Sequence, residues 1–524
     1  MNKHGCVIGV DIGTSSTKAV LYDTAGRVLA RHGVEYPLRT PSPGAAEQDP
    51  EQIVAAVIEA IAAVRDALPA GQPLLCVGVS AAMHSLIAVD AGGVPLTPCF
   101  TWADTRSAPW AERIKRDGGM AIYRRTGTPI HPMSPLVKLC WLRETQADVF
   151  GQAARFVGIK EYLFFRLFKR WCVDHSIASA TGLFDIEALQ WDRAALDLAG
   201  VTAERLAAPV PTTFIVEGLD ADIARRTKLP PGTPFVIGAN DGVLANLGVG
   251  AIRPGTVAVT IGTSGAIRTA VEKPVTDPQG RLFCYVLAPG VWIMGGPVNS
   301  GGMILRWLRD EFASAEVETA KRLGVDTYDL LTRMAERAGA GAGGLLFHPY
   351  LAGERAPLWN ADARGSFFGL AMFHRKEHMV RAVLEGVIFN LHAVLMIMEE
   401  TGARAERILA SGGFARSLMW RQIMADIFDR EVIVGQSAEG SSLGAAVLAL
   451  YAVGAVPSLD VAATMVGPTE CSTPDPDHAQ KYRRLGEIFG RLPALLQDAY
   501  RDIAAYQHDS AQDGGLAQAR AAAR

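Results

Sequence analysis

Between Asp11 and Lys18 the chain gathers one carboxylate, one glycine, four hydroxyls and a lysine: Asp11, Gly13, Thr14, Ser15, Ser16, Thr17 and Lys18. Small residues let a backbone approach a ligand closely, and consecutive N–H and O–H donors make a concave anion site. Asp11 ends an apolar run, where it could hold a divalent cation through oxygen, directly or through water. These residue types suit a polyphosphate and its Mg²⁺, although an ordinary hairpin turn would use many of them too. The tetrapeptide Ile-Gly-Thr-Ser then recurs, at Ile12–Ser15 in VIGVDIGTSSTKAVLYD and at Ile261–Ser264 in VAVTIGTSGAIR. The second copy keeps Gly262, Thr263 and Ser264 but sets Thr260 where the first has Asp11. Two hydroxyl-lined turns and a single carboxylate are what one nucleotide gripped between two domains would need.

Other clusters could serve an acceptor. Met83-His84 ends one apolar run, and Trp102, Asp104 and Arg106 follow another. Ligands of open α/β sheets gather at strand ends. An indole is an apolar wall for the C–H face of a polyol, while Asp, Arg and His exchange hydrogen bonds with its hydroxyls. Arg106 or His84 could also meet a carboxylate. The plainer alternatives are a surface ion pair between Asp104 and Arg106 and a satisfied core histidine at His84. In Gly238-Ala239-Asn240-Asp241-Gly242, Asp241 opens an Ala/Gly-rich helix, a suitable place for a general base accepting a hydroxyl proton, or for a simple N-cap. A Gly-Gly turn after a strand, as at Gly412-Gly413, lets a flat ring or phosphate lie against backbone.

The elements that must position these residues follow from periodicity. Val7–Val10 and Lys18–Tyr22 read as strands around a turn over Asp11–Thr17, with a third antiparallel strand at Arg27–Glu35. Asp49 before Pro50 is a helix start, an N-cap followed by Pro at the first helical position, and the helix runs over Glu51–Leu68. Leu74–Ser80 is a buried strand. The order strand, strand, strand, helix, strand predicts an α/β layer domain with a mixed sheet. Helices are expected at Pro135–Arg143, Ile159–Leu167 and Ala178–Thr181, and a strand at Thr233–Ile237. A boundary falls near Gly248–Pro254, after which the logic repeats. Strands at Val291–Gly296, Leu345–Tyr350 and Arg407–Ala410 alternate with helices, including a long apolar one at His378–Glu399. Glu439–Leu450, EGSSLGAAVLAL, is a small-residue helix able to pack tightly on a neighbour. His508–Arg524 is Ala/Gly/Gln-rich and expected to be unstructured.

At 524 residues the chain is too long for one core. A formal net charge of −3 gives it no polyelectrolyte character, which argues against nucleic acid as a partner. Asp11 interrupts any N-terminal apolar region, and no run approaches the roughly 18 apolar residues of a membrane span. The seven cysteines are scattered without a Cys-x-x-Cys pair and read as reduced thiols of a cytoplasmic protein.

Taken together and in order, these motifs resemble the FGGY carbohydrate kinases, members of the actin/hexokinase/Hsp70 ATPase superfamily. The markers are DIGTSSTK at Asp11–Lys18, AMHS at Ala82–Ser85, WADTR at Trp102–Arg106 and MSPLVKLCW at Met133–Trp141. GANDG at Gly238–Gly242, TIGTSG at Thr260–Gly265, YLAGERAP at Tyr350–Pro357 and SGGFARSLMWRQIMAD at Ser411–Asp426 complete them. The resemblance implies two ribonuclease-H-like domains, residues 1–248 and 249–500, with ATP and sugar in the cleft between them. It assigns Asp11 to the Mg²⁺ side and Gly13, Thr14, Ser15, Ser16 and Lys18 to the first phosphate turn. Gly262, Thr263 and Ser264 form the second turn, and Gly412, Gly413 and Ser417 lie near the adenosine with Gly301 and Gly302 close by. Asp241 becomes the catalytic base, and Met83, His84, Trp102, Asp104 and Arg106 the sugar side. Thr145 departs from the polar amide, acid or histidine that usually closes the family's first signature. The run SAAMHSLIAVDAGGVPLTPCFTWADTRS is most similar to members that phosphorylate gluconate, and those acting on xylulose share Met83-His84. A pentulose or polyol kinase is therefore the rival enzyme, and a nucleotide-dependent sugar sensor the rival of another class. The family analogy also allows a homodimer.

Overall fold

The apolar run ending at Asp11 becomes the strand Cys6–Ile12, and its alternation decides where the core lies. Ile8, Val10 and Ile12 turn to one face, with the helix Pro50–Arg65, while Val7 turns to the other, with the helix Gly440–Ala452. All four are at most 1% exposed, and burying such a side chain stabilises by roughly 1.5–3 kcal/mol. The computed structural model describes residues 5–435, 439–467 and 469–512. Its described chain forms two units. The first comprises Met1–Thr256, Arg268–Met294 and Gly435–Thr469, and the second Val257–Ile267, Gly295–Val434 and Glu470–Arg524.

In the first unit a six-stranded sheet runs in the order Ile215–Val216, Phe235–Val236, Leu74–Ala81, Cys6–Ile12, Ser16–Asp23, Val28–Glu35. Cys6–Ile12 pairs antiparallel with Ser16–Asp23 and parallel with Leu74–Ala81, so the sheet is mixed. Asp49 caps the helix Pro50–Arg65, its side chain accepting from the N–H groups of Glu51 and Gln52. The small-residue helix Gly440–Ala452 is buried along most of its length and packs with Val243, Leu244 and Leu247 of the helix Asp241–Gly248. One expected helix is displaced: instead of Ala178–Thr181 the helix spans His175–Ser179, because Asp174 caps it by accepting from the N–H of Ile177.

Strands Val291–Val298, Gly265–Val271, Gly255–Ile261, Ala405–Ser411 and Val432–Gly435 lie in that order within a seven-stranded sheet. Ala405–Ser411 and Val432–Gly435 pair in parallel. The helix Lys376–Glu400 is long and apolar enough to cross a membrane by length and composition, yet 83% of its apolar window is buried within the protein. It is a core helix, and several of its polar groups pair inside, although Glu385 Oε2 and Asn390 Oδ1 have no hydrogen-bond partner among the described residues. Arg381 and Glu385 pair with each other and with the Tyr482 hydroxyl, and Asn390 donates to Glu354. The tail expected to be unstructured begins as helix, since Gln497–Gln512 covers residues 508–512; residues 513–524 lie outside the described chain. All seven cysteines are free thiols, with Cys471 alone exposed.

Candidate active site

The first turn is tighter than the sequence suggests. Asp11 sits opposite Lys18 in the antiparallel ladder, so only Gly13, Thr14 and Ser15 form the turn, closed by the Gly13 N–H donating to the Ser16 carbonyl at 2.9 Å. Asp11 and Lys18 are therefore held by strand pairing. Asp11 Oδ1 accepts from Ser80 Oγ at 2.8 Å, and Lys18 Nζ donates to Glu439 Oε2 at 2.8 Å. Burial raises the Asp11 carboxyl above its ordinary range, opposed by the Ser80 hydrogen bond. Thr14 joins the turn to its surroundings. Its Oγ1 accepts from Trp102 Nε1 at 2.8 Å and its carbonyl from Gln48 Nε2 at 2.6 Å. Thr14, Gln48, Met83, Thr101 and Trp102 line one cavity, which brings the first turn together with part of the expected sugar side.

Asp241 is the first residue of the helix Asp241–Gly248, and the N-cap is Asn240, whose side chain accepts from the Val243 N–H at 2.8 Å. The capping role is thus filled by the neighbour. Among the described residues the Asp241 carboxylate takes only the adjacent Gly242 N–H, at 2.7 Å. Burial, and then the negative charge of Asp11, push its pKa up to about 6, against the pull of Arg268. The backbone before it is anchored by Lys160, whose buried ammonium donates to Asp174 and to the Ala239 carbonyl, both at 2.8 Å.

His84 adopts a left-handed backbone, φ 68°, and its Nδ1 bonds the Ala180 carbonyl at 2.7 Å. Beneath it lies a residue whose part the sequence does not announce. Lys138, fully buried, donates to the carbonyls of His84, Thr101 and Met133 at 2.7, 2.6 and 2.9 Å. Burial lowers its ammonium to about 7, and the three carbonyls it ties belong to the loops presenting His84, Trp102 and Met133. Arg106 is not the free cation envisaged for a carboxylate. Its guanidinium bonds Asp104 Oδ2 at 2.6 Å and Glu47 Oε1 at 2.7 Å, between the rings of Phe100 and Trp141. Asp104 is itself buried and accepts from the Ala46 N–H. This pair braces the Trp102 loop; the ion pair of the plainer alternative is present, with Asp104 buried and Arg106 half-buried.

In the second unit the turn Gly262–Ser264 has the same closure, the Gly262 N–H donating to the Ser264 carbonyl at 2.9 Å. Here, however, other backbone lies against it. The N–H groups of Gly302 and Met303 donate to the carbonyls of Gly262 and Thr263 at 2.7 and 3.1 Å. A Cβ on Gly301 would come within 2.6 Å of Ser264 backbone, and one on Gly412, at φ +102°, within 2.2 Å of the Ile261 carbonyl. Only glycine fits at either position. Ser417 caps the following helix by accepting from Trp420 N–H, and Gly413 has open space beside it. Glu354, buried, accepts from the Asn299 N–H, Ser300 Oγ and Asn390 Nδ2, so it fixes the segment leading to Gly301 and Gly302. Its sequence signal was the Gly-Glu-Arg of YLAGERAP, which marks the place without revealing the bonds.

No group of three or more His, Cys, Asp or Glu able to hold a metal occurs among the described residues. Mg²⁺ is commonly bound through one or two carboxylates, with phosphate and water completing its shell; Asp11 and Asp241 are two half-buried carboxylates, each raised in pKa.

These features define a two-domain α/β phosphotransferase of the actin and hexokinase ATPase-like fold. The N-terminal domain of the FGGY family of carbohydrate kinases matches residues 6–248 and its C-terminal domain residues 257–453. The chain belongs to that family and is a carbohydrate kinase, with ATP as the substrate its family implies. It is 53% identical over 503 residues to the gluconokinase of Bacillus subtilis, covering 96% of this chain and 98% of that relative. Two solved structures from Lactobacillus acidophilus, one described as a gluconate kinase and one as a ligand-bound xylulose kinase, each superpose with a TM-score of 0.90. Each is 35% identical and covers 95% of this chain and 100% of its own.

Proposed function

We propose that the protein transfers the γ-phosphoryl group of ATP to the terminal hydroxyl of D-gluconate, giving 6-phospho-D-gluconate. The observation that carries the chemistry is Asp241: a carboxylate at a helix start, relieved of capping by Asn240 and set near pH 6 by burial and by Asp11. The choice of acceptor is supported by the 53% identity to a gluconokinase over nearly the whole chain.

In this reading Asp241 accepts the proton of the attacking hydroxyl as the new O–P bond forms and the bond to the bridging β–γ oxygen breaks, releasing ADP. Catalysis of this kind is largely positioning and charge neutralisation. Gly13, Thr14, Ser15, Ser16 and Lys18 in one turn and Gly262, Thr263 and Ser264 in the other offer N–H and O–H donors to the phosphates. Gly412, Gly413 and Ser417, with Gly301 and Gly302, leave bare backbone for the adenosine side. Asp11, with Asp241 nearby, would hold Mg²⁺, which when bound neutralises phosphate charge. Met83, His84 and Trp102 face the acceptor, with Asp104 and Arg106 fixing the loop that carries Trp102. Free thiols throughout suit a reducing, cytosolic setting.

Xylulose is the second reading, favoured by the Lactobacillus acidophilus structure described as a xylulose kinase. The deciding experiment measures ADP release with MgATP across gluconate, xylulose, ribulose, fuculose and glycerol. A strong preference for gluconate, with turnover lost in Asp241→Asn by roughly 10²–10⁴-fold and ATP binding kept, is the expected result. Preference for xylulose would overturn the acceptor, and near-normal turnover of Asp241→Asn would remove the base.

A further inference from the structure

The two side chains that the sequence offered for an acid group are already engaged: Arg106 by Asp104 and Glu47, and His84 Nδ1 by the Ala180 carbonyl. One cation near Asp241 is not. Arg268 lies in the strand Gly265–Val271, and its Nε and Nη1 are buried atoms with no hydrogen-bond partner among the described residues. Its position is fixed by what it faces. A Cβ added at Gly242, the residue after Asp241, would come within 3.1 Å of Arg268 Nη2, 3.2 Å of its Nε and 3.1 Å of Met83 Cε. The guanidinium and the Met83 methyl group thus border bare backbone beside the proposed base. His84 packs edge-on against Tyr285 at 6.1 Å, and Tyr285 is close enough to Arg268 to favour its charged form.

An arginine stays ionised in a protein, and a desolvated guanidinium without acceptors is costly. Its planar fork matches a carboxylate through paired hydrogen bonds. Asp241 does not fill that place, since its carboxylate takes the Gly242 N–H and forms no hydrogen bond with Arg268. A neutral polyol would leave the buried Nε and Nη1 poorly answered, whereas an acid group would satisfy them. We propose that Arg268 is the specificity residue of this kinase, receiving the carboxylate of a sugar-acid acceptor whose far hydroxyl meets Asp241. The inference rests on the gluconate reading and names the group that distinguishes gluconate from a neutral sugar.

The test compares D-gluconate with D-gluconamide, its neutral amide, as acceptors for the wild-type protein, Arg268→Gln and Arg268→Lys, recording kcat and KM for each. Wild type is expected to favour gluconate by about 10²-fold in kcat/KM, because the amide keeps one acceptor oxygen but loses the charge assistance and the second acceptor of the paired hydrogen bonds. Arg268→Gln should raise the gluconate KM by a similar factor, lose far less with gluconamide, and leave the KM for ATP unchanged. Arg268→Lys, with charge but no fork, should fall between, and it decides the matter together with the wild-type ratio if the Gln variant does not fold. A wild-type enzyme that takes both acceptors equally, or an Arg268→Gln variant with unaltered gluconate kinetics, overturns the proposal while leaving gluconate as substrate. An equal loss of kcat on both acceptors, with a displaced acid limb of the pH profile, also overturns it and makes Arg268 only the charge partner of Asp241. If wild type phosphorylates xylulose and neither gluconate nor its amide, the gluconate reading itself has failed and this inference with it.

Discussion

The two hairpins carry the same tetrapeptide and close in the same way, yet they are built into different surroundings. At Gly13–Ser15 the neighbours are side chains: Gln48 and Trp102 bond Thr14, Tyr36 bonds the Gly13 carbonyl, and Asp11 stands next to the turn. At Gly262–Ser264 the neighbours are backbone, from Gly302, Met303 and Gly412, and Thr260 occupies the place of Asp11. A turn surrounded by side chains can be tuned for charge and acceptor, whereas one surrounded by bare backbone is suited to a flat or phosphorylated ligand lying close. The lesson is that a repeated phosphate motif is specialised by what packs on it more than by its own residues.

Exchanging the charge between the hairpins tests this most severely. Asp11→Asn should lower kcat/KM by about 10³-fold, the scale of removing one group that stabilises developing charge. Thr260→Ala, its counterpart, loses only the 3.1 Å hydroxyl contact with Ser411. It should cost about 1 kcal/mol of stability and leave turnover within a few-fold. Steady-state kinetics and thermal melts on the two variants provide the check, and similar kinetic losses in both would end the distinction. Next in size is Gly301→Ala. With Ser264 backbone 2.6 Å from the new Cβ, the second turn must shift. A displacement near 1 Å can cost about 10²-fold in rate, expected here with a raised KM for ATP and an unchanged KM for the acceptor.

Much of this organisation is legible in the sequence because it is local. The Ile-Gly-Thr-Ser repeat, the strand alternation around Asp11, the Asp49-Pro50 helix start and the strand-to-helix setting of Asp241 depend on residues near one another in the chain. What escapes depends on partners far apart in sequence. The sequence leaves Arg106 open between a cation for a carboxylate and an ion pair with Asp104, because Glu47 and Trp141, which complete its surroundings, are distant in sequence. Lys138 reads as one more residue of a helix because its three acceptors are backbone carbonyls, which have no sequence signature. In the sequence Arg268 reads only as the end of the second hairpin, where the first has Ala19. Its significance lies in Nε and Nη1, which have no hydrogen-bond partner among the described residues, a property of the folded chain with no local sequence signal.

A third way to sharpen the comparison is pH. Asp241 has a pKa of about 6, raised from 3.8 by burial first and by Asp11 second; Arg268, the Gly242 N–H and Lys160 oppose the rise. The active form of a base is the deprotonated one. Activity should therefore be level above about pH 7 and fall about tenfold for each pH unit below 6, since one pKa unit is about 1.36 kcal/mol. Because the charge of Asp11 contributes to the rise, the residual activity of Asp11→Asn should show its acid limb at lower pH. Thr260→Ala should leave the limb in place, and a displaced limb there would mean that both hairpins set the base.

The smallest effect belongs to Trp102→Phe. The indole N–H donates to Thr14 Oγ1 at 2.8 Å, and Trp102 shares a cavity with Thr14, Gln48 and Met83. Phenylalanine keeps an aromatic wall for the acceptor and removes only the donor. A neutral hydrogen bond contributes a net 0.5–1.5 kcal/mol or so, which corresponds to roughly a two- to tenfold effect. If the side chains around the first turn couple acceptor and nucleotide, that loss should appear in both KM values. If Trp102 serves only as a wall, the acceptor KM should stay near wild type and the ATP KM with it. Removing the Thr14 hydroxyl as well, by Thr14→Val, separates the cases. Coupling through this bond makes the double variant no worse than Thr14→Val alone, because the interaction can be lost only once. Additive losses would instead mean that each side chain contacts its own ligand. The first hairpin would then be, like the second, a turn whose neighbours shape it without joining the two substrates.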